Sequence, residues 1–106
     1  MQIAIDDAGS TATVTMVGRL DIAGADVVAL PLATLSGSKS ALFINMAGVT
    51  FIASIGLRHL VAAAKAVGRR GGRMVLLNPT AAVAEVITTS GLTELLPIEC
   101  DGASQN

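Results

Sequence analysis

Ser54 stands at the junction between an apolar run, Ala41 to Met46, and an amphipathic run that continues through Leu57-Arg58-His59-Leu60-Val61. A hydroxyl at the start of a helix has two uses. It caps the helix by accepting from backbone amides in the first turn, here those of Gly56 and Leu57. If a kinase reaches it, it also presents a phosphate to the positive end of the helix. Gly56 bears on the choice, because glycine in the first turn costs about 1 kcal/mol relative to alanine. Either something must approach the backbone there, or the turn itself requires glycine.

Other chemistry finds little support. His59 is the only histidine and Cys100 the only cysteine, so no metal cluster can be built from these two residue types. The acids (Asp6, Asp7, Asp21, Asp26, Glu85, Glu94, Glu99, Asp101) are scattered over turns and element ends. Ser54 and His59 are five residues apart, which puts them on different sides of one helix. Gly71-Gly72 follows a helix instead of opening one, so it is no phosphate cradle. The expectation is a protein that is not an enzyme and uses neither cofactor nor metal.

The helix that follows Ser54 has two readable faces. Leu57, Leu60, Val61, Ala64 and Val67 recur at three- and four-residue steps and predict a core stripe. Arg58, Lys65 and Arg69 lie on another face, with Ala62, Ala63 and Ala66 among them. Spacing alone leaves that face open between a solvated basic surface and a docking surface where small residues admit an acidic partner.

The remaining elements must position this helix. Gln2 to Asp6 and Thr11 to Val17 predict a hairpin; in the second strand Ala12, Val14 and Met16 alternate with Thr11, Thr13 and Thr15. Gly18-Arg19-Leu20-Asp21 breaks the pattern, and Asp21 caps a helix from Ile22 to about Leu35 that Pro31 should kink or divide. Ala47-Gly48-Val49-Thr50 reads as the turn after the strand Ala41 to Met46. Arg69-Arg70-Gly71-Gly72 stops the central helix, and Arg73 to Leu77 is a second apolar strand. Ala81 to Thr89 is a third helix stopped at Ser90-Gly91, Leu92 to Pro97 is irregular, and Ile98-Glu99-Cys100 adds an edge strand. The fold class is α/β: a mixed sheet of four to five strands covered by about three helices.

Composition narrows the function classes. With 106 residues, 52% of them apolar and 14% charged, the chain reads as one globular domain over 1–100, with a disordered tail at 101–106. A net charge of −1, with two Phe and neither Trp nor Tyr, leaves no footprint for nucleic acid. No apolar run is long enough for a membrane span, and the start Met1-Gln2-Ile3-Ala4-Ile5-Asp6-Asp7 is unlike a signal peptide, so a cytoplasmic location is expected.

Gly18-Arg19-Leu20-Asp21, the segment Asn45 to Ile52, Ala53-Ser54-Ile55-Gly56-Leu57, Gly71 to Asn78 and Ser90-Gly91-Leu92 together resemble the STAS domain of bacterial anti-sigma factor antagonists. The likeness runs from about Ile3 to Ile98. It implies that Ser54 is phosphorylated by a serine kinase that doubles as the anti-sigma factor. The unphosphorylated domain would bind that kinase, and a metal-dependent serine phosphatase would restore it; only the role of Ser54 is carried over from the family, and the partner-binding residues expected on the docking face of this helix are Ala53, Ile55, Gly56, Arg58, His59 and Ala62. The chain departs from the family pattern at Ala53, where an aspartate is usual, at Ile55, where a hydroxyl is usual, and at Asn45, where an acid is usual. The closing C-terminal helix is absent or short. The alternative that this resemblance leaves is a STAS regulatory subunit of a lipid-transport ATPase, using the same helix without phosphorylation.

Overall fold

Alternation along Thr11 to Met16 puts three apolar side chains on one face of a strand, and a computed structural model, which describes residues 1–100, shows where that face goes. Ala12, Val14 and Met16 are buried, while Thr11, Thr13 and Thr15 are half-buried on the other side. The strand, β2 (Thr11–Leu20), pairs antiparallel with β1 (Gln2–Ala8) across a two-residue turn at Gly9-Ser10. Gly9 at φ +80° supplies the positive dihedral that a tight hairpin turn needs. On its other side β2 pairs in parallel with β3 (Ala41–Ile52), followed by β4 (Arg73–Leu77) and β5 (Ile98–Glu99), both parallel. The five-stranded mixed sheet has the order β1-β2-β3-β4-β5.

Three helices cover it: α1 (Ile22–Ser36), α2 (Ser54–Arg69) and α3 (Ala81–Thr89). The expected stripe of α2 does face the core: Leu60, Ala64 and Val67 are buried, and Leu57 and Val61 pack against them half-buried. The stop after α2 is a Schellman-type turn, in which the Gly72 N–H reaches back to the Val67 carbonyl at 3.0 Å and Gly71 takes φ +81°. The tail expected at 101–106 lies outside the described residues.

Two expectations are corrected. The segment Ala47-Gly48-Val49-Thr50 is not a turn but part of β3, whose register against β2 slips twice, between Thr15 and Val17 and between Gly18 and Arg19. Each slip inserts one extra residue on the β3 side. Asn45 Oδ1 accepts from the Ala47 N–H at 3.1 Å, and Gly48 passes so close to Val17 that an added Cβ would sit 3.0 Å from its methyl. Polar and glycine residues therefore mark bulges here. Pro31 does not divide α1, which runs unbroken to Ser36. The carbonyl deprived of its partner belongs to Val27, itself 43% exposed, where water can take the bond.

Electrostatics tie the hairpin and α1 to the fold and set an expected pH response. Lys39 Nζ donates to Asp7 Oδ1 at 2.6 Å and to the Gly9 carbonyl at 2.6 Å. The Lys39 bond, then the Gly9 N–H, hold the Asp7 carboxyl below its ordinary range. At the start of α1 the Gly24 N–H donates to Asp21 Oδ1 at 2.9 Å, lowering Asp21 in the same way, with a smaller contribution from Arg19. Both carboxyls hold a proton less readily folded than unfolded, so the unfolded chain binds more protons in acid. Their stabilisation is complete above the ordinary carboxylate range, near about pH 4, and is lost as pH falls through the lower folded values. Melting temperatures measured from pH 7 down to pH 3 should fall below about pH 4. Asp21→Asn should start lower at pH 7 and fall less steeply.

Candidate functional site

The end of β3 delivers the chain to α2. The Ala53 N–H donates to the Leu20 carbonyl at 3.0 Å, which pins the start of α2 beside the start of α1. Ala53 is extended (φ −98°, ψ 169°) and occupies the cap position, and Ser54 is the first helical residue. The expected cap therefore fails. A cap must stand one residue before the helix in extended geometry, and the residue there is an alanine with no oxygen to offer. Asp21 caps α1 and Thr80 caps α3, with the Thr80 hydroxyl accepting from the Val83 N–H at 3.3 Å, whereas α2 has no side-chain cap. Among the described residues nothing accepts from the Ser54 and Ile55 amides, and the Ser54 hydroxyl, on an exposed residue, makes no hydrogen bond.

Gly56 has a reason inside the fold. It is buried, and an added Cβ would stand 2.6 Å from Leu20 Cγ and 2.9 Å from the Leu20 carbonyl oxygen. The close approach that this glycine permits is between α2 and the end of β2.

The remaining candidates fall on two neighbouring stripes of α2. Ser54 and Arg58 are exposed and four residues apart, on the same side as Lys65 and Arg69. Ile55 and His59 are half-buried and Ala62 is exposed; His59 and Ala62 face α1. The cations of the first stripe differ from the rest. Arg19 pairs with Asp21 and stacks 4.3 Å over Phe51, Lys39 pairs with Asp7, Arg70 bonds the carbonyls of Ser36 and Lys39, and Arg73 lies 5.4 Å over Phe43. Arg58, Lys65 and Arg69 touch no acid, carbonyl or ring among the described residues. No acid stands on α2 to offset them.

Sequence reasoning did not assign Leu20, which anchors Ala53 and shapes Gly56, nor the α1 residues Ala29 and Ala33 that face His59 and Ala62. The available signal was in α1 itself, where apolar residues recur on all sides. Among the described residues no group of three His, Cys, Asp or Glu side chains could hold a metal ion, and no helix is long and apolar enough to cross a membrane.

The sequence profile of the STAS domain matches residues 2–102. The chain belongs to the STAS-domain family. The anti-sigma factor antagonist SpoIIAA in its unphosphorylated form has the same STAS fold, with a TM-score of 0.82 at 20% identity over 98% of this chain and 91% of that one. The Bacillus cell fate determinant SpoIIAA in the phosphorylated form gives 0.77 at 19% identity, covering 98% and 95%. An anti-sigma factor antagonist from Mycobacterium paratuberculosis gives 0.79 at 24% identity, covering 92% and 83%. A search of curated protein sequences gave no significant match.

Proposed function

We propose that this STAS domain is a cytoplasmic anti-sigma factor antagonist that works by partner switching at Ser54. Unphosphorylated, it binds an anti-sigma factor serine kinase along α2 and so frees a sigma factor. Transfer of phosphate to Ser54 ends the complex, and a metal-dependent serine phosphatase restores it. The observation that carries this reading is the exposed Ser54 hydroxyl at the head of a row of cations, hydroxyl and cations alike without a partner among the described residues. SpoIIAA, which shares the fold, exists in phosphorylated and unphosphorylated forms.

The proposed switch is local electrostatics. A phosphoserine carries about −1.5 to −2 charges at neutral pH. Added to Arg58, Lys65 and Arg69, it takes the stripe from three positive charges to about one. Phosphate is welcome at the open start of α2, where amides lack partners and the helix dipole is positive. Alanine at position 53, in place of the family's usual acid, removes a negative neighbour that would oppose it.

Mass spectrometry of the protein purified from its own cells tests the reading directly. Phosphate should map to Ser54 and vanish in Ser54→Ala; phosphate confined to another hydroxyl would overturn it. Arg58 supplies a second check. Arg58→Glu should weaken association with the kinase by about three- to tenfold at low salt and flatten the salt dependence, with the melting temperature unchanged. Unaltered affinity at low salt would move the dock off this stripe.

A further inference from the structure

α1 and α2 lie side by side and run in the same direction. Their starts meet where the Ala53 N–H reaches the Leu20 carbonyl, one residue ahead of the Asp21 cap. Their ends meet where Arg70 donates to the carbonyls of Ser36 and Lys39, at 3.2 and 2.8 Å. Between them a groove of about 230 Å³ opens to solvent, walled by Ala29, Leu32 and Ala33 from α1 and His59, Ala62 and Ala66 from α2. Alanines on both walls keep it open, since each leaves the space that a larger side chain would fill.

The two crests beside the groove differ in chemistry. The α1 crest holds Leu30, 74% exposed and one turn from Ala33, with the exposed Asp26 one turn before it, so hydrocarbon stands in water next to an apolar trough. The α2 crest holds Arg58, Lys65 and Arg69, which have no partner among the described residues. These span eleven residues, about 16 Å along the axis. A bilayer is flat and would rest on the crests without entering the trough. A second copy of this chain offers a single acid on these two helices, Asp26, to meet three cations. A helix with an apolar ridge and acidic residues along one flank satisfies trough and crests together.

We propose that the α1–α2 groove docks an amphipathic, acidic helix of a partner protein, its apolar ridge in the alanine-lined trough and its acids against Arg58, Lys65 and Arg69. This docking rests on the partner-binding role proposed above for α2, and it adds the shape and charge of what binds. The occupant needs about three turns of helix to reach all three cations.

Two synthetic helical peptides with the same leucine ridge, one flanked by glutamates and the other by lysines, test it when titrated into the ¹⁵N-labelled protein. The glutamate peptide should shift the amides of Ala29, Ala33, Ala62 and Ala66, and bind about tenfold or more tightly than the lysine peptide. The triple variant Arg58→Glu, Lys65→Glu, Arg69→Glu should invert that preference. Ala62→Trp should block the groove to both peptides without lowering the melting temperature, because Ala62 is exposed. Equal affinity for the two peptides, shifts outside the groove, or no binding overturns the proposal. So does capture of the protein by phosphatidylglycerol vesicles in preference to the peptide, or dimerisation that shifts the same amides. Ser54→Ala should keep the parental peptide affinity. A failed titration would thus leave phosphorylation of Ser54 standing, and absent phosphate would leave the groove standing.

Discussion

Gly56→Leu should lower the melting temperature by roughly 5–15 °C. The new Cβ would meet Leu20 Cγ at 2.6 Å and the Leu20 carbonyl oxygen at 2.9 Å before any of the longer side chain is placed. Overpacking of this kind costs about 1–3 kcal/mol, and the backbone oxygen cannot swing aside as a side chain could. Leucine recovers less than about 1 kcal/mol through helix propensity, so the clash wins. The same Leu20 carbonyl holds the Ala53 N–H, so its displacement also loosens the start of the helix. Gly68, on the same helix with open space around it, is the control. Gly68→Ala should raise stability by up to about 1 kcal/mol, because propensity acts there without a clash. Thermal melting of both variants decides the matter. A Gly56→Leu protein that melts with or above the parent would return this glycine to the docking surface. One that melts early yet accepts phosphate normally below its transition would fix it as a residue of the fold.

The two glycines show what one sequence can and cannot say. Periodicity places α2 and its core stripe, because Leu57, Leu60, Val61, Ala64 and Val67 carry the pattern themselves. Asp21 is legible as a cap for the same reason: cap and helix are adjacent in the chain. The reason for Gly56 is Leu20, thirty-six positions earlier, and no local pattern carries that distance. The bulges of β3 are likewise set by pairing with β2, so Ala47 to Thr50, read alone, has the composition of a turn. Ser54 was misplaced by one residue because a hydroxyl at a helix start draws the cap assignment, whereas the backbone gives that place to Ala53. The groove beside α2 depends on which alanines of α1 face which alanines of α2, a matter of packing that neither helix states separately.

That one-residue shift changes what substitution of Ser54 should do. Were Ser54 a cap, Ser54→Ala would cost about 1 kcal/mol and several degrees of melting temperature. As the first helical residue with an unbonded hydroxyl, it should cost nothing measurable, and the variant should bind the kinase constitutively because it can take no phosphate. Ser54→Glu should separate stability from binding. A carboxylate in the first turn of an uncapped helix interacts well with the dipole, worth about 0.3–1 kcal/mol, so melting should hold or rise. The same charge reduces the net charge of the stripe formed with Arg58, Lys65 and Arg69 from three to two, so kinase binding should fall by roughly tenfold at low salt, and less at high salt. Full phosphate, with about twice the charge, should go further. Calorimetric titration against the kinase, with melting on the same samples, reads both quantities. A cap would lose stability and leave binding alone; a switch loses binding and leaves stability alone. If both variants bind as the parent does, Ser54 is not the switch, and the unpaired cations of α2 answer to some other charge.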